Sequence, residues 1–187
     1  MVGVVGASHK VVAAATILAA LDVVIRPPKP EDAEGLARAA RDLAEQYAAR
    51  EPERFQVPDS DAQVAALTAE LERPVPEHAL WLVAEVAGEA VGDAHAKLHE
   101  SAQDAAVQVL RDLGRHRAYL EYMAVQARYR SQGIGGRLLE AVEQWARESG
   151  AELITLGTNL RSDFGAIAFY EKHGFERRAV ILRKTLA

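Results

Sequence analysis

The pattern of apolar positions along the chain changes repeatedly between runs that suit strands and runs that suit helices. Apolar runs rich in β-branched residues predict strands at 22–26, 80–86, 90–98, 119–125, 152–158 and 179–186. Apolar residues repeated every three to four positions predict helices at 31–50, 61–71 and 137–149. The second and third strands read as a hairpin with its turn at Gly88.

The segment between the third and fourth predicted strands has a different pattern. Small and aliphatic residues recur at helical spacing from Ser101 to Leu113, Ser101 and Asp104 resemble a capping box, and Gly114 is a suitable stop. We therefore predict a short inserted helix here. The alternative is a long hairpin in which alanine is merely frequent.

The chain is predicted to form one domain, residues 22–187, preceded by an N-terminal extension, residues 1–21. The apolar run Val11–Ala20 in that extension is too short to span a membrane. It predicts a helix packed on the domain or on a partner subunit, which leaves a homodimer open. A secretory signal peptide is the less favoured alternative.

Composition narrows the classes of function. The 187 residues include no cysteine, which excludes disulfides, thiolate metal sites and a cysteine nucleophile, and which fits a cytoplasmic protein. The net charge of −5 argues against a nucleic-acid partner, whose binding surface is basic. It mildly favours cationic substrates such as amines. We expect neither a nucleic-acid partner nor a membrane partner.

The most informative segment is the glycine-rich turn from Arg130 to Gly136, which lies between a predicted strand and a predicted helix. Glycines let a ligand approach the backbone, and the helix start offers free N–H groups, so the turn suits a phosphate. A P-loop would require Gly-Lys-Ser/Thr, but Arg137 and Leu138 follow Gly136. A dinucleotide fingerprint would require a third glycine where Leu138 stands. The alternative to a ligand site is an ordinary glycine-rich connection.

The remaining pattern, R-x-x-G-x-G, is formed by Arg130, Gly133 and Gly135 and resembles the pyrophosphate-binding turn of the GNAT superfamily of N-acetyltransferases. Downstream, the stretch from Asp163 to Phe175 resembles the family's N-x-x-A-x-x-x-Y-E-K-x-G-F motif. Asp163 stands where the family usually has Asn, although Asp can also cap the helix that follows. Two motifs in the family's order extend the resemblance over about residues 22–187.

The resemblance implies an α/β fold with a mixed, splayed central sheet flanked by helices. It also implies a cytoplasmic enzyme that passes an acetyl group from acetyl-CoA directly to an amine. The turn would hold the pyrophosphate, the strand end before it would bond the pantetheine arm, and the Val125 N–H would be the oxyanion donor. The residues implied to contact acetyl-CoA are Met123, Ala124, Val125, Arg130, Ser131, Gln132, Gly133, Ile134, Gly135, Gly136, Asp163, Ala166 and Tyr170.

Two side chains are candidates for proton transfer. Tyr170 would be the general acid that protonates the leaving thiolate, and the alternative is that it only packs on a helix. Glu121 would be the general base, directly or through water, and an ordinary ion pair is an equal alternative. On an unbulged strand, Glu121 would share a face with Tyr119 and Met123.

No metal site is predicted. His95 and His99 are four residues apart, but they fall in a predicted strand, where that spacing separates them by roughly 13 Å. We expect the histidines to be structural or exposed. Two other functions stay open, a non-catalytic acyl-CoA-binding regulatory module and a transferase for a longer acyl group. The acceptor would be selected by the first two helices, the loop 51–59 and the segment 100–117.

Overall fold

A computed structural model describes residues 21–159 and 164–184 of the chain. Within these residues the strands form one five-stranded sheet in which neighbours follow sequence order. The first four strands are antiparallel neighbours, and the fifth is parallel to the fourth, so the sheet is mixed as predicted. The strands are β1 (Val23–Arg26), β2 (Ala79–Val86), β3 (Glu89–His99), β4 (Arg117–Val125) and β5 (Leu153–Leu156).

Helices cover both faces of this sheet. The α-helices of the described residues are α1 (Ala33–Arg50), α2 (Ser60–Leu71), α3 (Ile134–Glu148) and α4 (Ala166–Lys172). On one face, Leu36 of α1 packs with Trp81 and Val83, and Leu67 and Leu71 of α2 lie against them. None of these helices is long and apolar enough to cross a membrane.

The other face of the sheet is covered by α3. Its buried stripe, Leu138, Leu139 and Val142, packs on Ala94 and Leu120 of the sheet. Each fully buried leucine contributes about 1.5–3 kcal/mol of hydrophobic free energy, so this stripe holds α3 firmly on the sheet. The glycine-rich turn at the start of α3 is fixed in place as a result.

Most predicted elements form close to their predicted positions. The β2–β3 hairpin turns at Ala87 and Gly88, whose φ angles of 51° and 82° suit a two-residue turn between twisted strands. The helix predicted from 137 begins earlier, at Ile134, so Gly135 and Gly136 belong to its first turn. The predicted N-terminal helix at Val11–Ala20 lies outside the described residues.

The predicted inserted helix between β3 and β4 is wrong. Two short 3-10 turns form instead, at Ala105–Val107 and Arg111–Gly114. A short amphipathic helix is stabilised mainly by packing of its apolar face, but Val107 and Val109 are exposed and cover nothing. The alternative, a long hairpin, is closer to the structure, because β3 and β4 pair antiparallel on either side of this segment.

The predicted closing strand at 179–186 is not present in the part of it that the structure describes, residues 179–184. Val180, Ile181 and Leu182 have strand-forming side chains, but they are 67–91% exposed. A strand needs a hydrogen-bonded neighbour, and no described residue pairs with this segment. Residues 185 and 186 lie outside the described residues.

Candidate active site

The parallel strands β4 and β5 separate halfway along the sheet. They pair only from Arg117–Leu120 to Leu153–Leu156, and β4 then continues to Val125 paired with β3 alone. The predicted splay is therefore present. The Gln126 N–H bonds the Val91 carbonyl of β3, at 2.8 Å. Because successive N–H groups of a strand point to opposite sides, the Val125 N–H points away from β3 and into the opening.

A β-bulge lies where the two strands begin to separate. Tyr122 is opposite His95 and Leu120 is opposite Ala96, which leaves Glu121 as the extra residue of β4. The shared face of Glu121, Tyr119 and Met123 was expected for an unbulged strand, and the bulge removes that condition, so Tyr119 and Met123 lie on opposite faces. The bulge turns Tyr119 and Tyr122 toward the face covered by α1 and α2, whereas Met123 faces α3.

Glu121 makes an ion pair with Lys97, which lies on β3. Both side chains are more than a third exposed, so this pair lies at the surface of the opening rather than in the core. The ion pair that the sequence analysis gave as the alternative role of Glu121 is thus present. An amine that approaches Glu121 meets a carboxylate that already has a positive partner.

The glycine-rich turn leads directly into α3. Ser131 and Gly133 both have positive φ angles, of 61° and 85°, and Gly133 is the N-cap of the helix. A Cβ on Gly133 would meet nothing within 4 Å, so open space lies before the helix start. The N–H groups of the first helical residues, Ile134, Gly135 and Gly136, have no acceptor within the helix.

Side chains of the turn stabilise its own conformation. Arg130 Nε donates to the Val125 carbonyl at 2.8 Å, and Gln132 Nε2 donates to the Arg128 carbonyl at 2.9 Å. These two predicted cofactor residues therefore fix the path of the chain between β4 and α3. Their positive and polar ends add to the positive end of the α3 dipole.

Three residues that the sequence analysis did not select anchor this turn to the rest of the domain. Gln126 is 2% exposed, and its amide donates to the carbonyls of Gly35 and Ala90 at 3.1 and 2.9 Å. Asp42 of α1 accepts from the Ala127 N–H at 2.6 Å, and Glu89 pairs with Arg128. No motif predicts these partners, because they come from three distant parts of the chain.

The second motif packs on the first. A Cβ on Gly135 would lie 3.6 Å from the Phe169 ring, and one on Gly136 would lie 3.4 Å from His173 Nε2. These distances are those of ordinary van der Waals contact, so α4 packs directly on the start of α3. Ala166 is the first residue of α4, and its N-cap is Gly165. Asp163, the predicted cap and cofactor contact, lies outside the described residues.

Tyr170 lies in the same cluster of side chains as the end of β4. It packs with Met123 and Val125 around a core that includes Ile134, and its ring contacts that of Phe175 at 5.5 Å. Burial, together with the nearby Tyr47, raises the pKa of Tyr170 to about 12. Its hydroxyl is therefore protonated at neutral pH, and it makes no hydrogen bond within the described residues.

A buried polar cluster lies beside the bulge, and the sequence analysis missed it. Asp93 is 3% exposed and its Oδ2 is 2.8 Å from His95 Nε2. Burial raises the pKa of Asp93, and the His95 hydrogen bond opposes that rise. Burial and the charge of Asp93 also raise the pKa of Tyr122. The Trp81 indole completes the cluster, 4.4 Å from His95 between ring centroids.

Comparison with known families gives one match over most of the chain. The model of the family described as acetyltransferase (GNAT) matches residues 37–175. That range contains the turn, Glu121, the buried cluster and the Tyr170 motif. A comparison with curated proteins gave no significant match.

Solved structures of the same fold are similar at low sequence identity. A mutant of a Bacillus halodurans protein has a TM-score of 0.71 and 19% identity over 88% of this chain and 99% of its own. An aminoglycoside acetyltransferase from an uncultured soil metagenomic sample, in complex with sisomicin, has a TM-score of 0.55 and 23% sequence identity, and the match covers 88% of this chain and 97% of that one. A transcriptional regulator from Bacillus halodurans C-125 has a TM-score of 0.62 and 23% sequence identity, and the match covers 88% of this chain and 99% of that one.

Proposed function

The chain belongs to the GNAT family of acetyltransferases, and on that premise we propose that it moves an acetyl group from acetyl-CoA directly to an amine. The observation that carries the proposal is the packing of α4 against Gly135 and Gly136. This packing would bring a hydroxyl donor, an anion site and an unpaired strand end to one opening in the sheet. Acyl transfer from a thioester needs those three features together.

The start of α3 would bind the pyrophosphate of the cosubstrate. The open space before Gly133, the free N–H groups of the first helical turn and the nearby Arg128 and Arg130 all favour an anion there. The pantetheine arm would lie along Met123, Ala124 and Val125 as an added strand. The Val125 N–H, which points into the opening, would then stabilise the developing oxyanion.

Tyr170 would act on the leaving sulfur. With its pKa raised to about 12, the phenol is a weaker acid than an ordinary thiol, whose pKa is about 8.5. Tyr170 therefore stabilises the departing thiolate first as a hydrogen-bond donor. Complete proton transfer from this phenol to a free thiolate would be unfavourable, so the released thiolate takes its proton from solvent.

Glu121 would take a proton from the amine nitrogen, directly or through water. Its position at the bulge puts it where β4 leaves β5, next to the segment proposed to hold the thioester. The ion pair with Lys97 must open or be shared for this to occur. The pair is exposed and costs roughly 0–1 kcal/mol to open, which is a small barrier to catalysis.

The acceptor would enter from the side covered by α1 and α2. There Glu51, buried at the end of α1, accepts from Asn159 Nδ2 at 2.9 Å. The ring of Tyr47 stacks on that of Phe55 at 4.8 Å between centroids. This region already holds a cation, because Arg54 lies 4.9 Å from the Phe55 ring centroid and 3.9 Å from the Glu51 carboxylate. The preference for a cationic amine therefore rests on the net charge of −5.

Two measurements test the proposal. Saturating CoA, at about a hundred times its dissociation constant, should raise the folding stability by roughly 2.7 kcal/mol, which a thermal shift assay detects. Thiol release from acetyl-CoA should then require an amine, tested with alkyl diamines, lysine peptides and sisomicin. No thermal shift with millimolar CoA would refute the assignment.

The same assays separate the alternatives. A non-catalytic acyl-CoA-binding module would give the thermal shift without thiol release for any amine. The similar fold of a transcriptional regulator makes this the second candidate. A transferase for a longer acyl group would release thiol faster from a longer-chain acyl-CoA than from acetyl-CoA.

A further inference from the structure

Acetylation of a protonated amine removes two protons from its nitrogen. The ammonium nitrogen must lose one proton before it attacks the thioester and a second as the amide forms. One of these protons is balanced by the proton that the leaving sulfur gains, and the other is released to solvent. The proposed function, on which this inference rests, assigns Glu121 to only one of these two steps.

We propose that His95, oriented by Asp93, accepts the first proton from the ammonium group of the acceptor. The N–H bond of the ammonium breaks, His95 becomes an imidazolium, and the neutral amine is left to attack the carbonyl carbon. The imidazolium then returns its proton to water. Glu121 takes the second proton as the C–N bond forms and the C–S bond breaks.

The geometry of the Asp93–His95 pair fits a base held in one tautomer. In the proposed ground state Asp93 is ionised and accepts the proton on His95 Nε2 across the 2.8 Å separation, which leaves the lone pair of neutral His95 on Nδ1. Nδ1 makes no hydrogen bond within the residues that the structure describes. The His95 side chain is 26% exposed, whereas that of Asp93 is 4% exposed. The pair therefore joins a buried anion to a base that solvent reaches.

The aromatic neighbours of His95 restrict its ring. The Trp81 ring lies 4.4 Å from it on one side, and the Tyr122 ring lies 5.4 Å away in an edge-on arrangement. A ring held between two others keeps its orientation during proton transfer. His95 also lies opposite Tyr122, the residue after the bulge, and so at the level where the opening begins.

The buried carboxylate gains from a positive charge on His95. Asp93 is almost fully buried, its Oδ1 makes no hydrogen bond in the described part of the chain, and only His95 and the nearby Trp81 indole favour its charged form. A buried anion with an incomplete set of partners is costly, and an imidazolium beside it offsets that cost. The charged or titratable groups around the pair are Asp93 on β3, Tyr122 on β4, Glu70 on α2, and Lys97 and Glu121 at the edge of the opening.

A test compares His95→Gln with the parent on two acceptors of the same shape. The first is the primary alkylamine of the panel that turns over fastest. The second is that amine with every hydrogen on the carbon next to its amine-bearing carbon replaced by fluorine, assayed at a pH above the pKa of its ammonium group, so that the nitrogen is uncharged. The kcat/KM for the ammonium substrate should fall at least about tenfold. The kcat/KM for the fluorinated amine should change less than about twofold, because that amine needs no first deprotonation.

Controls separate this role from a structural one. His99→Gln, on the same strand, should leave both rates unchanged, and CoA should still stabilise every variant. Asp93→Asn keeps the shape of the side chain and removes its negative charge, so it should lower kcat/KM for the ammonium substrate and not for the fluorinated amine. This variant replaces His95→Gln in the test if His95→Gln does not fold. Equal loss on both amines, or no loss, would overturn the inference alone. A parent that acetylates no amine would overturn the proposed function and the inference together.

Discussion

The ring of Phe169 lies 3.6 Å from the position that a Cβ on Gly135 would occupy. Gly135 belongs to the first turn of α3, and Phe169 belongs to α4 directly before Tyr170. The contact means that the two motifs form one structural unit. The start of α3 thus packs on α4 at one side, and open space lies before Gly133 at the other.

The first prediction concerns the ligand side of that unit. Gly133→Glu and Gly135→Glu should each abolish the thermal shift that CoA produces. Gly133→Glu puts a carboxylate at the start of α3, where an anion is proposed to bind, and like charges repel there. Gly135→Glu directs its side chain at Phe169 and would act by displacing α4 from the start of α3. Gly133→Glu should also lower the melting temperature without ligand, since the left-handed conformation costs roughly 1–2 kcal/mol for a residue with a Cβ.

A matched control is available at the other end of the same helix. Gly150 has a φ of 77°, close to the 85° of Gly133, and follows α3 directly after Ser149. Gly150→Glu should therefore lose similar stability and keep the CoA shift. A Gly133→Glu protein that binds CoA as the parent does would place the anion site elsewhere.

The second prediction concerns the anchor of the turn. Gln126→Leu should lower the free energy of unfolding by about 2 kcal/mol or more, because the Ala90 and Gly35 carbonyls would lose a buried donor. Urea unfolding measures the change. Gln144→Leu, on the exposed face of α3, is the control and should change the free energy by less than about 0.5 kcal/mol. Equal effects of the two variants would contradict this role of Gln126.

The sequence was sufficient to predict the elements whose patterns are local. The β2–β3 hairpin, α1, α2 and the turn before α3 each depend on periodicity or on residues that demand a particular backbone. The segment 101–113 has helical periodicity but packs against no surface within residues 21–159 and 164–184, and its exposed Val109 illustrates why periodicity alone is not enough. The same reason applies to Val180–Leu182, which has strand propensity without a paired neighbour.

The site was predicted less completely than the fold. Tyr170 and the turn stand in motifs, but the bulge at Glu121 depends on the register between β3 and β4, which one strand's sequence does not determine. In the sequence, Asp93 and His95 look like two polar residues that alternate with apolar ones along a strand. Only the structure shows that Asp93 is buried against His95 and that Trp81 packs on the His95 ring. The Lys97 partner of Glu121 follows from the same register.

The third prediction separates the two partners of the exposed ion pair. Lys97→Met should lower the KM for the amine, by up to about fivefold, because an exposed pair is worth at most about 1 kcal/mol and its loss frees Glu121. Glu121→Gln should instead lower kcat and remove the fall in rate at low pH that comes from protonation of the Glu121 carboxylate. If Lys97→Met changes neither constant while Glu121→Gln is inactive, Lys97 does not compete with the amine.

The fourth prediction tests Tyr170 in catalysis. Tyr170→Phe removes one hydroxyl and little volume, so the fold and the CoA thermal shift should be retained. The acetyl-transfer rate constant should fall by roughly a hundredfold if no other group supplies the sulfur with a proton, and a tenfold fall is compatible with partial replacement by water. A variant as fast as the parent would show that Tyr170 only packs against Phe175.

The fifth prediction uses Tyr170 as a probe of stability at alkaline pH. Its folded pKa, about 12, is above the ordinary value of 10.0, so the folded state holds this proton more tightly than the unfolded state. The contribution of Tyr170 is fully present below pH 10.0 and is lost as the pH rises to about 12. The loss is about 2–3 kcal/mol over that window. Urea unfolding should therefore give a difference in the free energy of unfolding between the parent and Tyr170→Phe that is constant below pH 10.0. Above pH 10.0 the parent should lose stability relative to the variant. Parallel curves over the whole range would mean that the hydroxyl is not buried in solution.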